Sequence, residues 1–351
     1  MGMIKVPTKA INFFNENISD IFDSGALAEG KWNQALAETS KDFVGSKLAL
    51  PTNSNGTGLH AILVLLKHYY SMKNVIIQDN TMYGVKTIAI TSGLNFVGYV
   101  CSDLQNHLMP TAKAVEEKLR SLDEPQETVF LLTHIGGWIN PEIAEIVEVC
   151  KSFGCKVVED CAHSFGATLN GKHSGTFGDA GVYSFYATKA LPVGEGGLIV
   201  TNNCNLGEQL AKYLIYDRFD QVQEIGLNIR MSEMQALLAY AVIQETHEII
   251  ENKHTIAKRY IEICDKKGLN YLIPKDEKHY SNLYKFIVLS ENENEMESLR
   301  RMKNTTSPVY DYLLDDKSNN IYKNHICLPI WYGLEDEVIS ATVSELESIT
   351  T

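Results

Sequence analysis

The stretch VVEDCAHSFGATLNGKHSGTFGDAGVYSFYATKALPVGEGGLIVT, residues 157–201, decides how this chain is to be read. Its β-branched start predicts a buried strand, and the acidic pair Glu159 and Asp160 comes at that strand's carboxyl end. Glycine-punctuated turns then lead to one lysine, Lys189. Ligands of open α/β sheets bind at the carboxyl ends of the strands, so Asp160 stands where a carboxylate can pair with a cationic ring nitrogen.

A lysine beside such a ring can form an imine with an aldehyde, and an aspartate facing a pyridinium nitrogen is the arrangement used for pyridoxal phosphate. Taken singly, each residue has a plainer explanation: Asp160 can cap a helix, and Lys189 can be one more solvated lysine. Their order says more. E-D-x-A-H at 159–163, G-x-F-G-D at 175–179 and S-F-x-x-x-K-x-L-x-x-G-E-G-G at 184–197 together resemble the DegT/DnrJ/EryC1/StrS family of sugar aminotransferases. The resemblance implies the fold of type I pyridoxal-phosphate transferases, with Lys189 forming the covalent link to the cofactor. It also implies that Asp160 holds the pyridine nitrogen, His163 lies near the phenolic oxygen and Ser184 binds the phosphate.

Outward from this stretch, strands at 74–78, 95–101, 128–133 and 155–159 alternate with helices at 82–92, 111–121 and 141–153. Such spacing predicts an α/β fold with a mainly parallel sheet and helices on both faces. Ile11, Phe14, Ile18 and Ile21 recur at helical spacing after Thr8, and a second helix is expected over 33–43. A strand at 47–50 leads through PTNSNGTG (51–58) to an apolar helix over 59–70. Free N–H groups at a helix amino end make an anion site, although Asn55 or Thr57 could simply cap the first turn. The family's S-G-T turn matches here, which implies that Gly56 and Thr57 hold the cofactor phosphate and that Gly58 keeps the backbone close.

Asp79-Asn80-Thr81-Met82-Tyr83 departs from the family pattern, which has an aromatic residue directly after the threonine, stacked on the ring. Met82 holds that place here, and its polarisable sulfur can pack on a ring; Tyr83 comes one position later. His134, opening HIGGW at 134–138, ends a strand and is a candidate for lining the site. GEGGLIV (194–200) is no dinucleotide fingerprint. Gly226-Leu-Asn-Ile-Arg-Met matches the family's G-x-N-x-R-M, implying that Asn228 reaches the phosphate of the neighbouring subunit and that the working unit is a homodimer. Without the family, this is a polar loop before a helix capped by Ser232.

Helices at 205–217 and 231–248, the latter continuing to about 268, lead to a smaller α+β unit with strands at 284–289 and 326–330. The expected division is 1–235 for the cofactor-binding domain and 236–351 for the rest. The resemblance is weakest in that second unit, where Val309-Tyr310 replaces the family's His-Tyr pair.

A chain of 351 residues can bury a large core and a smaller one. The net charge of −13 and the lack of a dense basic block speak against a nucleic-acid partner. Seven cysteines without C-x-x-C spacing support neither a disulfide framework nor a zinc ribbon, and no metal site is expected. The longest apolar run is too short for a bilayer and the opening MGMIKVPTKA lacks a signal peptide's apolar core, so the expected location is the cytoplasm. Lys189 argues against the family's 3-dehydrating branch, which has histidine there. The resemblance implies a reaction that moves an amino group from glutamate to a nucleotide-linked keto-sugar. Cyclitol or other keto substrates, and a non-catalytic cofactor-fold binding protein, are the alternatives.

Overall fold

The structure, a computed structural model, describes residues 4–216, 223–272, 278–310 and 319–349. Its centre is a seven-stranded sheet of β1 (Leu48–Thr52), β2 (Asn74–Gln78), β3 (Asn95–Val100), β4 (Thr128–Thr133), β5 (Lys156–Cys161), β6 (Ala180–Ser184) and β7 (Gly197–Thr201). The spatial order is β1-β7-β6-β5-β4-β2-β3. The five strands β6, β5, β4, β2 and β3 run parallel, while β7 is antiparallel to both β6 and β1.

Alternation along the parallel strands sends side chains to two cores. Val75 and Ile77 of β2, Val129 and Leu131 of β4, Val158 and Val182 pack beneath α3 (Asn55–Tyr70), α4 (Tyr83–Thr91) and α7 (Cys204–Ile215). Ile76, Phe130, Leu132 and Val157 face the other way, against α5 (Ala112–Arg120) and α6 (Ile143–Ser152). On that second face, nearer β1 and β7, α1 (Thr8–Ser24), α2 (Lys31–Val44) and α8 (Glu233–Gln244) cover Ala49, Tyr183, Leu198 and Val200. The expected α/β architecture with helices on both faces is the one observed.

Helix α3 begins four residues before the apolar run that announced it. The Ser54 hydroxyl accepts the Thr57 N–H at 3.1 Å and starts the helix at Asn55, so Ser54, rather than Asn55 or Thr57, is the cap. The helical stretch after residue 231 is broken too. Ser232 and Gln235 form a capping box that opens α8, and Glu245 separates it from α9 (Thr246–Lys267).

From Ile256 onward α9 packs into a second core with α10 (Glu293–Arg300), α11 (Asp336–Glu347) and a three-stranded sheet of β8 (Asn270–Tyr271), β9 (Phe286–Leu289) and β10 (His325–Leu328). Strand β9 starts two residues later than the apolar pattern suggests, because Tyr284 and Lys285 serve another purpose. The Lys285 N–H donates to Gly136 O at 3.0 Å, and the Ser281 hydroxyl donates to Gly137 O at 2.8 Å. This smaller body is thereby fastened to the loop after β4. Gly137, at φ +98°, permits the contact: a Cβ there would lie 2.4 Å from Asn282 Oδ1 and 2.6 Å from the Tyr284 nitrogen. Among the described residues no helix is long and apolar enough to cross a membrane.

Candidate active site

The carboxyl ends of β5 and β6 lie side by side, with Asp160 in register with Val182. Asp160 is 3% exposed. Its Oδ1 accepts from Asn55 Nδ2 at 3.0 Å and from the Ala162 N–H at 3.1 Å, and Oδ2 makes no hydrogen bond to the described residues. Burial raises its pKa above the usual carboxylate value, and the two donors, Lys189 and His134 offset part of that rise. Asn55 also donates to Val182 O at 2.9 Å, so one amide ties the first residue of α3 to both strands.

Lys189 lies in the turn that follows β6, its N–H donating to Tyr186 O at 2.8 Å. It is half-buried, and its Nζ lies 4.9 Å from the centre of the Tyr284 ring. Tyr284 in turn stacks on His163, with ring centres 4.2 Å apart. Burial would raise the Tyr284 pKa, but the charges of Lys189 and Lys285 and polar contacts with Thr188 and Lys189 outweigh it and bring the phenol below its ordinary value.

His163 is buried between the two bodies. The Gly136 N–H points at its Nδ1 at 3.4 Å, so Nε2 carries the hydrogen and meets the Tyr310 hydroxyl at 3.0 Å. Burial, then Lys189 and Lys285, hold its pKa well below the usual imidazole value, so the ring is neutral. Asn282 locks the segment from behind by donating to His163 O at 2.9 Å and to Phe165 O at 2.8 Å.

Gly56 and Thr57 occupy the first turn of α3, beside Asn55. The Thr57 hydroxyl donates to Asn53 Oδ1 at 2.6 Å and lies 3.0 Å from Ser54 Oγ. The first-turn N–H groups of a helix have no intrahelical acceptor, and this amino end could hold an anion. Ser184 closes β6, its Oγ accepting the Tyr186 N–H at 3.3 Å. Met82 caps α4 and, like Tyr83, is exposed, so neither is a core residue. Asn228 is exposed in the loop before α8, and the next residue, Ile229, accepts the Asn53 N–H at 2.8 Å.

His134 does not line the site. It is fully buried; its Nδ1 accepts the Asn140 N–H at 3.1 Å, and its Nε2–H donates to Glu159 at 2.8 Å. Glu159 further accepts the N–H groups of Gly175, Phe177 and Gly178 at 2.7, 2.8 and 2.7 Å, which fixes the G-x-F-G-D turn on the sheet. Cys161 brings a third potential metal ligand within 4.8 Å of this pair. Because the imidazole lone pair is turned to Asn140 and Glu159 is filled by N–H donors, the cluster is a hydrogen-bonded brace.

Sequence reasoning brought Asp160, His163 and Lys189 to one place but missed Asn55 as the aspartate's orienting donor. It also missed Tyr284 and Tyr310, which reach the site from the second body. The S-N-G-T turn carried the signal for Asn55. Residues 9–347 match the DegT/DnrJ/EryC1/StrS aminotransferase family.

The chain belongs to that family.

As a member of the DegT/DnrJ/EryC1/StrS family it is a transaminase. It is 31% identical over 261 residues to the GDP-perosamine synthase of Escherichia coli O157:H7, covering 71% of this chain and 67% of that protein. Its fold is shared with the aminotransferase TlmJ of Streptoalloteichus hindustanus, at TM-score 0.83 and 22% identity over 99% of this chain and 98% of the other. PseC of Helicobacter pylori, an aminotransferase in pseudoaminic acid biosynthesis, superposes at TM-score 0.82 and 21% identity, covering 98% and 96%.

Proposed function

We propose that this transaminase uses pyridoxal phosphate to move an amino group from glutamate to a keto-sugar, probed first as its nucleotide-linked form. One observation carries the reading: a buried carboxylate with one unbonded oxygen shares a site with a lysine and a neutral histidine. An oxygen without a partner is free to accept a hydrogen bond, and a protonated ring nitrogen is a donor that suits it. The α3 amino end, with Gly56, Thr57 and Ser184 beside it, suits the phosphate. The residues present therefore fit this cofactor.

Once bound, the cofactor supplies an aldehyde and a conjugated ring that draws electrons from the substrate's carbon. Asp160 would keep the ring nitrogen protonated through Oδ2 while Asn55 and the Ala162 N–H hold Oδ1 in place. Lys189 would bind the cofactor through Nζ and, once released by the incoming amine, carry the proton between the two carbons. Neutral His163 would offer its ring to the cofactor's oxygen side, with Met82 or Tyr83 covering the outer face. We further propose a cytoplasmic homodimer in which Asn228 reaches the neighbouring subunit's phosphate, divided into domains 1–235 and 236–351. The screening experiment is the second half-reaction. The pyridoxamine form, prepared with glutamate, is mixed with a panel of nucleotide-linked and free keto-sugars, and recovery of the aldehyde spectrum is followed. Recovery with at least one nucleotide-linked ketone is expected; no recovery with any sugar, but recovery with cyclitol ketones, would overturn the substrate class.

A further inference from the structure

Behind Lys189, on α9, stands a second lysine that the reaction does not use. Lys253 is 3% exposed and, among the described residues, has no hydrogen-bond or ion-pair partner. It lines a cavity of about 20 Å³ together with Thr188, Lys189, Tyr284, Trp331 and Tyr332. Trp331 adds a second unmet donor, since its indole Nε1 is buried without a partner. The Tyr332 hydroxyl is already committed to Glu248 at 2.6 Å. The lining thus includes the unpartnered Lys253 amine, a tryptophan whose buried N–H has no partner, and no carboxylate.

An unpaired buried ammonium is costly, and native proteins rarely keep one without a counter-ion or a function. Burial alone brings its pKa down to about 7. The space beside Lys253 is small, and among anions it suits a terminal carboxylate or a monatomic ion better than a phosphate or nucleotide.

We propose that this cavity is a carboxylate subsite in which Lys253 and Trp331 receive the far carboxyl group of a dicarboxylic amino donor whose amino group lies at Lys189. The inference deepens the transaminase reading and rests on it for the ligand's identity. It assigns donor selection to the α9 lysine and the indole after β10.

The test uses glutarate, a dicarboxylate with no amino or keto group to react, titrated calorimetrically into the full-length protein with and without pyridoxal phosphate. Lys253→Met, which keeps the length and apolar volume of the side chain, is expected to weaken glutarate at least tenfold, and Trp331→Phe about threefold to tenfold. Chloride should compete only weakly, and butyrate, with one carboxyl group, should bind less tightly than glutarate. Glutarate affinity unchanged in Lys253→Met, or chloride matching glutarate, overturns the subsite. Either result leaves the transaminase reading intact if glutamate still converts the bound cofactor at the parental rate. If instead glutarate binds through Lys253 while no amino donor reacts, the subsite stands and the reaction assigned to it fails.

Discussion

Asp160 is the most constrained side chain of the site, and its constraint comes from a distant residue. Asn55 Nδ2 reaches it across 105 positions of sequence. A hydrogen bond to a carboxylate is worth roughly 1.5–3 kcal/mol, so losing one of two donors matters. Asn55→Ala is expected to weaken pyridoxal phosphate binding about tenfold, roughly 1.4 kcal/mol, as read by fluorescence titration. Affinity within twofold of the parent would show that the Ala162 N–H alone orients the carboxylate. At this scale the sequence revealed the residues whose neighbours in the chain form a pattern, namely Asp160, His163 and Lys189. Tyr284, Tyr310 and Lys253 were illegible because their roles arise only from contacts between bodies far apart in sequence.

Two loops do more than connect. The G-x-F-G-D turn hangs on Glu159, a fully buried carboxylate filled by three N–H groups and one imidazole. Glu159→Gln turns one acceptor oxygen into an NH₂ group facing donors, a change expected to cost about 3 kcal/mol in urea unfolding. A loss below about 0.5 kcal/mol would mean that the turn holds itself. Gly137→Ala should loosen the smaller body, since the new methyl would collide with backbone at a left-handed position. Element boundaries were the least legible part. The cap at Ser54 and the break at Glu245 are single-residue choices, and apolar periodicity is blind to both.

For the molecule as a whole, alternating strands and helices foretold the layers, but not that β7 and β1 close the sheet antiparallel at one edge. Nor could composition locate an amine in the core. Lys253 titrates at about 7 when folded against 10.5 when free. Between those values the unfolded chain binds the extra proton, so this group makes stability rise with pH across that window. Below pH 7 both states are charged and the burial penalty is fully present; above 10.5 both are neutral and it vanishes. Lys253→Met is therefore expected to be more stable than the parent by roughly 4–5 kcal/mol at pH 6.5, at about 1.4 kcal/mol per pH unit between the two values, with the gap closing toward pH 10 in denaturant melts. A gap that does not change with pH would mean that Lys253 is solvated or paired in solution.

The central claim is that the amine of residue 189 holds the cofactor whose nitrogen meets Asp160. Borohydride reduction of the protein saturated with pyridoxal phosphate, followed by peptide mass spectrometry, tests it most directly. The account predicts one permanently labelled site, Lys189, and loss of that label in Lys189→Ala with the fold retained. A label at Lys253 or Lys285 instead, or label persisting in Lys189→Ala at the parental yield, would contradict it.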